Sequence, residues 1–291
     1  STIVLCRGCG HTLSCGLCDI PMVYHGDRGL LICHRCDERR TPPPRCPECG
    51  GELNYFGAGT QRVEAEVRRD FPKARVLRWD QDTVRGPGGH GRLLRQVEEH
   101  EVDVVVGTQM IAKGWDFPWV TTIGVVNADT MLHLPDFRSG ERTFQLLTQV
   151  AGRAGRRGPR AQVVVQSYTP EHYAVRAAAK HDYEEFFAEE LDFRRVHRYP
   201  PYSRLVRYVV RHPDETRAAA VADEIAVALA RHARERGVAI DMMGPAPAFA
   251  ARVRGDYQWQ VILRTERLEE LLDGLPTRPD WVVDVDPLSI L

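Results

Sequence analysis

The spacing of apolar residues changes character near residue 59. From there to about residue 192, segments of helical and strand period alternate, the pattern of a parallel α/β layer. Thr60 is placed to cap a helix running to Phe71, with a short strand over 75–79 and a helix over 92–100. Residues 102–108 read as a buried strand ending in the polar turn Gly107-Thr108, 121–126 as a second buried strand, 138–154 as a helix and 161–166 as a strand. A helix over 171–190 leads into Arg194-Arg-Val-His-Arg-Tyr-Pro-Pro201, a basic, proline-stiffened joint. Beyond it come a strand (205–211), a long helix (214–236), strands at 238–242 and 259–264, a helix (267–274) and a strand (281–284). That order is βαββαβ, an α+β unit on a four-stranded sheet, which by itself implies no activity.

The 291 residues suit about two domains at roughly 150 residues each, and 43% hydrophobic with 27% charged residues is ordinary for a globular chain. No apolar run approaches the roughly 18 residues of a membrane span, so no membrane partner is expected. The chain opens at Ser1 with no charged-then-apolar leader, and we expect it to be cut from something longer. Net charge is −1, yet the cations are 36 Arg against three Lys. Two local patches stand out: 138–160 and 192–211 each carry six Arg and one acid, a balance of +5.

All eight cysteines lie between Cys6 and Cys49, as the C-x-x-C pairs Cys6/Cys9, Cys15/Cys18, Cys33/Cys36 and Cys46/Cys49. Each such turn points two sulfurs at one place, and two turns complete the tetrahedral thiolate shell of structural zinc. Eight thiols therefore predict two structural zinc ions. A disulfide scaffold or redox dithiol is the alternative; four repeated pairs and a Cys-free remainder argue against both and for a reducing, cytoplasmic compartment. His11, His25 and His34 are available as substitute ligands, but eight cysteines already suffice.

Sequential, cross-braced and nested pairings all satisfy the ligand count. The flanks favour nesting. Cys9 and Cys49 are each followed by Gly, Cys18 and Cys36 each by Asp, which matches like with like. An outer site (Cys6, Cys9, Cys46, Cys49) would enclose an inner one (Cys15, Cys18, Cys33, Cys36). The inner pairs bracket Met22-Val-Tyr-His25 and Leu30-Leu-Ile32 around Gly26-Asp-Arg-Gly29, a hairpin with its turn in place.

In the lobe, Gln149, Gly152, Arg153 and Arg156 fall at i, i+3, i+4 and i+7, one face of the predicted helix; Leu147, Val150, Ala151 and Ala154 fall on the other. Spacing alone serves a solvated basic face as well as a phosphate-binding one. In the last unit, Arg252, Arg254, Tyr257 and Trp259 alternate beside a hairpin. That arrangement suits base stacking, or simply a strand with one apolar and one solvated face.

Gln149-Val-Ala-Gly-Arg153-Ala-Gly-Arg156 resembles the Q-x-x-G-R-x-x-R signature of superfamily 2 helicases, and Gly107-Thr-Gln-Met-Ile-Ala-Lys-Gly-Trp-Asp116-Phe their motif V. With the four C-x-x-C pairs, Pro135-Asp-Phe-Arg-Ser-Gly-Glu-Arg142, Tyr199-Pro-Pro-Tyr202, Gly244-Pro-Ala-Pro247, Tyr257-Gln-Trp-Gln260 and Asp284-Val-Asp-Pro287, nearly the whole chain resembles the PriA family of primosomal replication-restart helicases.

The resemblance implies an α/β fold: a RecA-like second helicase lobe (57–192) with an inserted zinc module (1–56) whose two sites nest, then an α+β C-terminal unit (193–291) for DNA and partner binding. It implies that Arg156 is the arginine finger on an ATP γ-phosphate, assisted by Arg153 and Gln149, an effect worth about 10³–10⁵ in rate elsewhere. Gly114 and Asp116 would approach the nucleotide, and Thr108 and Gln109 the DNA backbone. Arg267 is a candidate for docking an acidic partner tail. Implied partners are forked and single-stranded DNA, single-stranded DNA-binding protein and primosome loading proteins, in a nucleoid-associated bacterial setting.

The sequence contains no G-x-x-x-x-G-K-S/T loop, and Asp-Glu pairs such as Asp37-Glu38, in the zinc module, and Asp214-Glu215, which opens a helix, are not placed as a Mg²⁺-binding box. ATP and Mg²⁺ would thus need a first lobe this sequence lacks, and the chain is expected not to hydrolyse ATP alone. Of the strand and Asn-Arg-Arg-Gly segment that precede the zinc ligands in that family, only Ser1–Leu5 could remain. The competing expectation is a non-enzymatic zinc-containing scaffold for DNA and primosome proteins whose motor has been lost.

Overall fold

The computed structural model describes residues 2–6, 8–9, 11–16, 22–25, 29–33, 38–56, 59–81, 83–84, 88–112, 119–153 and 162–291. The Cys-rich region forms an antiparallel five-stranded sheet of β1 (Thr2–Cys6), β2 (Val23–His25), β3 (Leu30–Ile32), β4 (Arg39–Arg40) and β5 (Leu53–Phe56), in the order β4-β3-β2-β1-β5. The expected hairpin is present, with Val23 opposite Ile32 and His25 opposite Leu30. A small core of Val4, Leu13, Cys15, Met22, Leu31 and Cys33 backs it. Few residues are available for burial in so short a unit, and domains of this size commonly depend on metal or disulfides.

The middle of the chain runs α1 (Thr60–Asp70), β6 (Val76–Trp79), α2 (Gly89–Glu98), β7 (Val104–Gly107), α3 (Gln109–Ala112), β8 (Thr122–Val125), α4 (Asp129–Leu132), α5 (Ser139–Ala151), β9 (Gln162–Val165), α6 (Tyr173–Lys180) and α7 (Tyr183–Val196). The strands pair in parallel, as their helix-separated apolar runs require, but as two two-stranded sheets among the described residues, β6-β7 and β8-β9.

Three local expectations are corrected. Thr60 does not cap α1; Gly59 holds that position without a side-chain bond, and the Thr60 hydroxyl instead donates to Asp80 Oδ2 at 2.5 Å. The helix expected over 171–190 is two, broken where His181 turns left-handed (φ 54°) and Asp182 restarts the chain by accepting the Glu185 N–H at 2.8 Å. The helix expected over 138–154 is α5, which ends at Ala151 with Gly152 as its cap residue.

The last unit is β10 (Arg204–His212), α8 (Glu215–Arg236), β11 (Asp241–Val253), β12 (Asp256–Thr265), α9 (Glu269–Leu272) and β13 (Trp281–Val285). All pairings are antiparallel, in the order β11-β12-β10-β13. Alternation along β10 and β12 puts Val206, Tyr208, Val210, Val261 and Leu263 on one face, where Ile225 and Leu229 of α8 and Leu271 of α9 bury them. The opposite face gives Leu205 and Ile262 to a separate cluster with Phe137, Tyr199, Met243 and Ile290, which joins this unit to the middle of the chain. No helix among the described residues is long and apolar enough to cross a membrane.

Candidate metal centre and the arginine helix

Pairing of β1 with β5, with Val4 opposite Tyr55 and Cys6 opposite Leu53, carries the first and last cysteine turns to one end of the sheet. Each turn is closed by its own backbone: Cys6 N–H donates to the His11 carbonyl at 2.8 Å, and Cys46 N–H to that of Gly51 at 2.9 Å. Gly50, directly after Cys49, takes the left-handed φ of 70° that a side chain disfavours.

The sulfurs of Cys6, Cys9, Cys46 and Cys49 all lie within 4.8 Å of one another. Cys6 and Cys49 are 3.5 Å apart, and Cys9 and Cys46 3.6 Å. These distances are far beyond a disulfide's roughly 2.05 Å. They fit a tetrahedron, for zinc–sulfur bonds of about 2.3 Å set sulfur–sulfur edges of about 3.8 Å.

The acid–base chemistry of the quartet points the same way. The Cys9 amide, foremost, holds the Cys6 thiol down to about 7. The His11 amide lowers Cys9 too, but the sulfurs of Cys49, Cys46 and Cys6, together with burial, outweigh it and push that thiol up to about 12. Cys49 is also raised: the Gly51 amide and Cys9 lower it, but the Cys6 and Cys46 sulfurs and burial prevail. Four thiolates this close resist ionising together unless a cation shares their charge. The donor set therefore fits Zn²⁺, which would hold the two ends of the module together without entering any reaction.

Of the other four cysteines, Cys15 and Cys33 are buried in the module's core, and Cys15 Sγ lies 2.7 Å from Glu38 Oε2. Cys18 and Cys36 lie outside the described residues.

Among the nucleotide and DNA candidates, Thr108 and Gln109 are exposed immediately after β7, at the carboxyl end of a parallel strand, where ligands of such sheets bind. Gly107 makes that turn possible: a Cβ there would lie 2.3 Å from the Trp79 carbonyl oxygen and 2.1 Å from Ile111 Cδ1. Gly114, Asp116 and Arg156 lie outside the described residues. Gln149 is exposed in the last turn of α5 and Arg153 half-buried just beyond it. Because α5 ends at Ala151, the four-residue helical face does not continue through Arg153, whose N–H bonds the Val150 carbonyl at 3.1 Å in a tighter turn.

The basic count over 192–211 is largely cancelled in three dimensions. Arg194, Arg195, Arg198 and Arg204 form ion pairs with Glu141 and Glu190, Asp192, Glu266, and Glu269 and Asp286 respectively. Arg267 pairs with Glu270. At the hairpin, Arg252 lies 4.7 Å from the Tyr257 ring and donates to the Gly16 carbonyl of the Cys-rich region at 2.8 Å, while Trp259 packs against the helix-covered core.

Sequence reasoning passed over Asp129 and Asp136. Asp129, buried at the start of α4, accepts from the hydroxyls of Ser167 and Thr169 (both 2.9 Å) and from Tyr168 N–H (3.0 Å), so it ties the carboxyl end of β8 to that of β9. Asp129 carries no recognisable motif spacing, and Asp136 entered only as part of the run Pro135-Asp-Phe-Arg-Ser-Gly-Glu-Arg142, with no role assigned to it.

Residues 195–288 match the family model described as the primosomal protein N C-terminal domain, and residues 15–40 that of the PriA DNA helicase Cys-rich region. The replication restart protein PriA of Bacillus subtilis is 44% identical over 272 residues, covering 93% of this chain and 33% of that protein. That of Synechocystis is 40% identical over 305 residues (100% and 36%), and that of Treponema pallidum 38% over 297 (98% and 44%). The chain thus spans between 33% and 44% of the length of these relatives. A Cys-rich region and a primosomal C-terminal domain matched in order, with relatives aligned across 93% or more of the chain including its mixed α/β middle, place it in the PriA family, to the C-terminal portion of which it corresponds.

Proposed function

We propose that this chain is the C-terminal part of an ATP-dependent 3′→5′ DNA helicase that recognises stalled forks and restarts replication by primosome assembly. The observation that carries this reading is the match to replication restart proteins over 93% or more of the chain. Residues 1–56 form the zinc module, 57–192 a RecA-like second motor lobe and 193–291 the DNA- and partner-binding unit. Parallel strands with polar turns at their carboxyl ends support the lobe assignment.

Two structural zinc ions sit in nested sites, the outer on Cys6, Cys9, Cys46 and Cys49, the inner on Cys15, Cys18, Cys33 and Cys36. The sulfur geometry of the first quartet supports this, as does the matched span 15–40, which contains the whole second quartet. ATP and Mg²⁺ are held mainly by a preceding lobe. Arg156, Arg153 and Gln149 reach the phosphates across the cleft, neutralising charge on the transferred phosphoryl. Gly114 and Asp116 lie by the nucleotide, and Thr108 and Gln109 by the DNA backbone. The partners are forked and single-stranded DNA, single-stranded DNA-binding protein and primosome loading proteins, in the bacterial cytoplasm at the nucleoid.

The test compares this chain with the complete protein on forked DNA. The complete protein is expected to hydrolyse ATP and unwind 3′→5′, and this chain alone to bind forks without hydrolysis. A complete protein that binds forks but never hydrolyses ATP would establish the scaffold reading instead.

A further inference from the structure

Asp136 lies in the loop before α5, and its carboxylate is fully enclosed. Oδ1 accepts the Arg138 N–H of its own loop at 2.9 Å. Oδ2 accepts from Arg142 Nη1 at 3.2 Å, and then from the last residues of the chain: the Ser289 hydroxyl at 2.6 Å and Ile290 N–H at 3.3 Å. Arg142 also donates to the Leu288 carbonyl, and the Ile290 side chain enters the cluster of Phe137, Leu205 and Ile262. One buried carboxylate thereby fastens the tail that follows β13 to the first turn of α5. The Phe137 ring beside it stacks on Tyr199 with centroids 5.1 Å apart.

Gln149 lies in the last turn of α5, and Gly152 and Arg153 follow the helix directly. Thirteen residues of helix make a stiff rod of about 20 Å between the clasp and those side chains. We propose that Asp136 is a positioning residue: by clasping Ser289 and Ile290 it fixes α5 to the C-terminal sheet, so that DNA engaged by that sheet alters where Gln149 and Arg153 are held. The proposal rests on the motor reading for its consequence, though not for the clasp itself. Releasing the tail would take the Ser289 and Ile290 donors from Asp136 and the Leu288 carbonyl from Arg142, leaving their mutual ion pair to be completed by water; tail held and tail released are the two states that coupling needs.

The test uses the complete protein with Asp136→Asn, Ser289→Ala and, as the conservative control, Ser289→Thr. In the first two, DNA-stimulated ATP turnover at saturating DNA should fall about tenfold, with unstimulated turnover and fork affinity held within about twofold, and Ser289→Thr should restore stimulation. Amide exchange provides the second readout. Ile290 and Leu291 at the tail and Gly152 and Arg153 at the helix end should all exchange faster in Ser289→Ala. Tail amides that open while Gly152 and Arg153 keep their native rates would overturn the proposal, as would full stimulation with the tail released. If the native complete protein shows no DNA-stimulated hydrolysis, the motor reading fails, and the exchange rates still decide whether the clasp reaches the helix end.

Discussion

Arg194, near the end of α7, reaches Glu141 in the first turn of α5 at 2.8 Å while its Nε bonds Glu190 at 2.6 Å. The guanidinium also donates to the Pro200 carbonyl at 3.1 Å and lies 5.4 Å from the Phe137 ring. Glu190 is buried and accepts the Tyr173 hydroxyl at 2.7 Å, so removing the cation strands a charge inside the protein. Arg194→Ala should therefore destabilise the chain by about 3 kcal/mol. Denaturant unfolding measures it; a loss no larger than that of an exposed ion pair would show that solvent reaches Glu190 freely.

The metal account predicts about two zinc ions per chain, four thiolates to each. Cys15→Ser should lose the inner ion and largely retain the outer. Loss instead with one sequentially adjacent pair, read by cysteine protection in the variant, would establish the unnested topology. Gly51 gives a finer probe, because a Cβ there would lie 3.2 Å from both Cys6 Sγ and Cys49 Sγ. Gly51→Ala should weaken zinc binding about tenfold, the usual effect of disturbing the surroundings of a ligand. Chelation should unfold the five-stranded sheet and leave the β10–β13 sheet folded, since the latter has its own helix-covered core.

Asp129 predicts an acid limit for the β8–β9 pair. Burial pushes its carboxyl up, but the Tyr168 N–H and the Ser167 and Thr169 hydroxyls outweigh burial and hold it below the ordinary value of 3.8. A carboxyl lowered on folding contributes stability that is complete above the ordinary value and disappears as pH falls through the lowered one. Asp129→Asn should cost stability at pH 6 and cost progressively less as pH drops below 3.8. Thermal unfolding across that range provides the check. A deficit independent of pH would mean the ionised form is not what the three donors stabilise.

The last unit was readable because its apolar residues follow strand and helix periods cleanly. The strand expected over 238–242 nevertheless falls far short of β11, which continues to Val253. Gly244-Pro-Ala-Pro247 hides the continuation, since proline lacks a ladder donor; the register shifts at Met243/Ala246 and Pro247/Arg252 absorb it. Cysteine spacing named the ligands but left their pairing open; the Gly that follows both Cys9 and Cys49 pointed to the outer quartet, whose four sulfurs lie within 4.8 Å of one another. The basic patch over 192–211 misled, because Glu141, Glu266, Glu269 and Asp286, four acids that neutralise it, lie 53 to 82 residues away from their partners or on other elements. The end of α5 was overrun for a local reason: Gly152 weakens a helix that apolar period alone would extend.

The most direct test of the motor reading is DNA-stimulated ATP hydrolysis by the complete protein carrying Arg156→Ala, with Arg153→Ala beside it. The account predicts that Arg156→Ala abolishes hydrolysis while fork binding is retained. Hydrolysis at the native rate would contradict it.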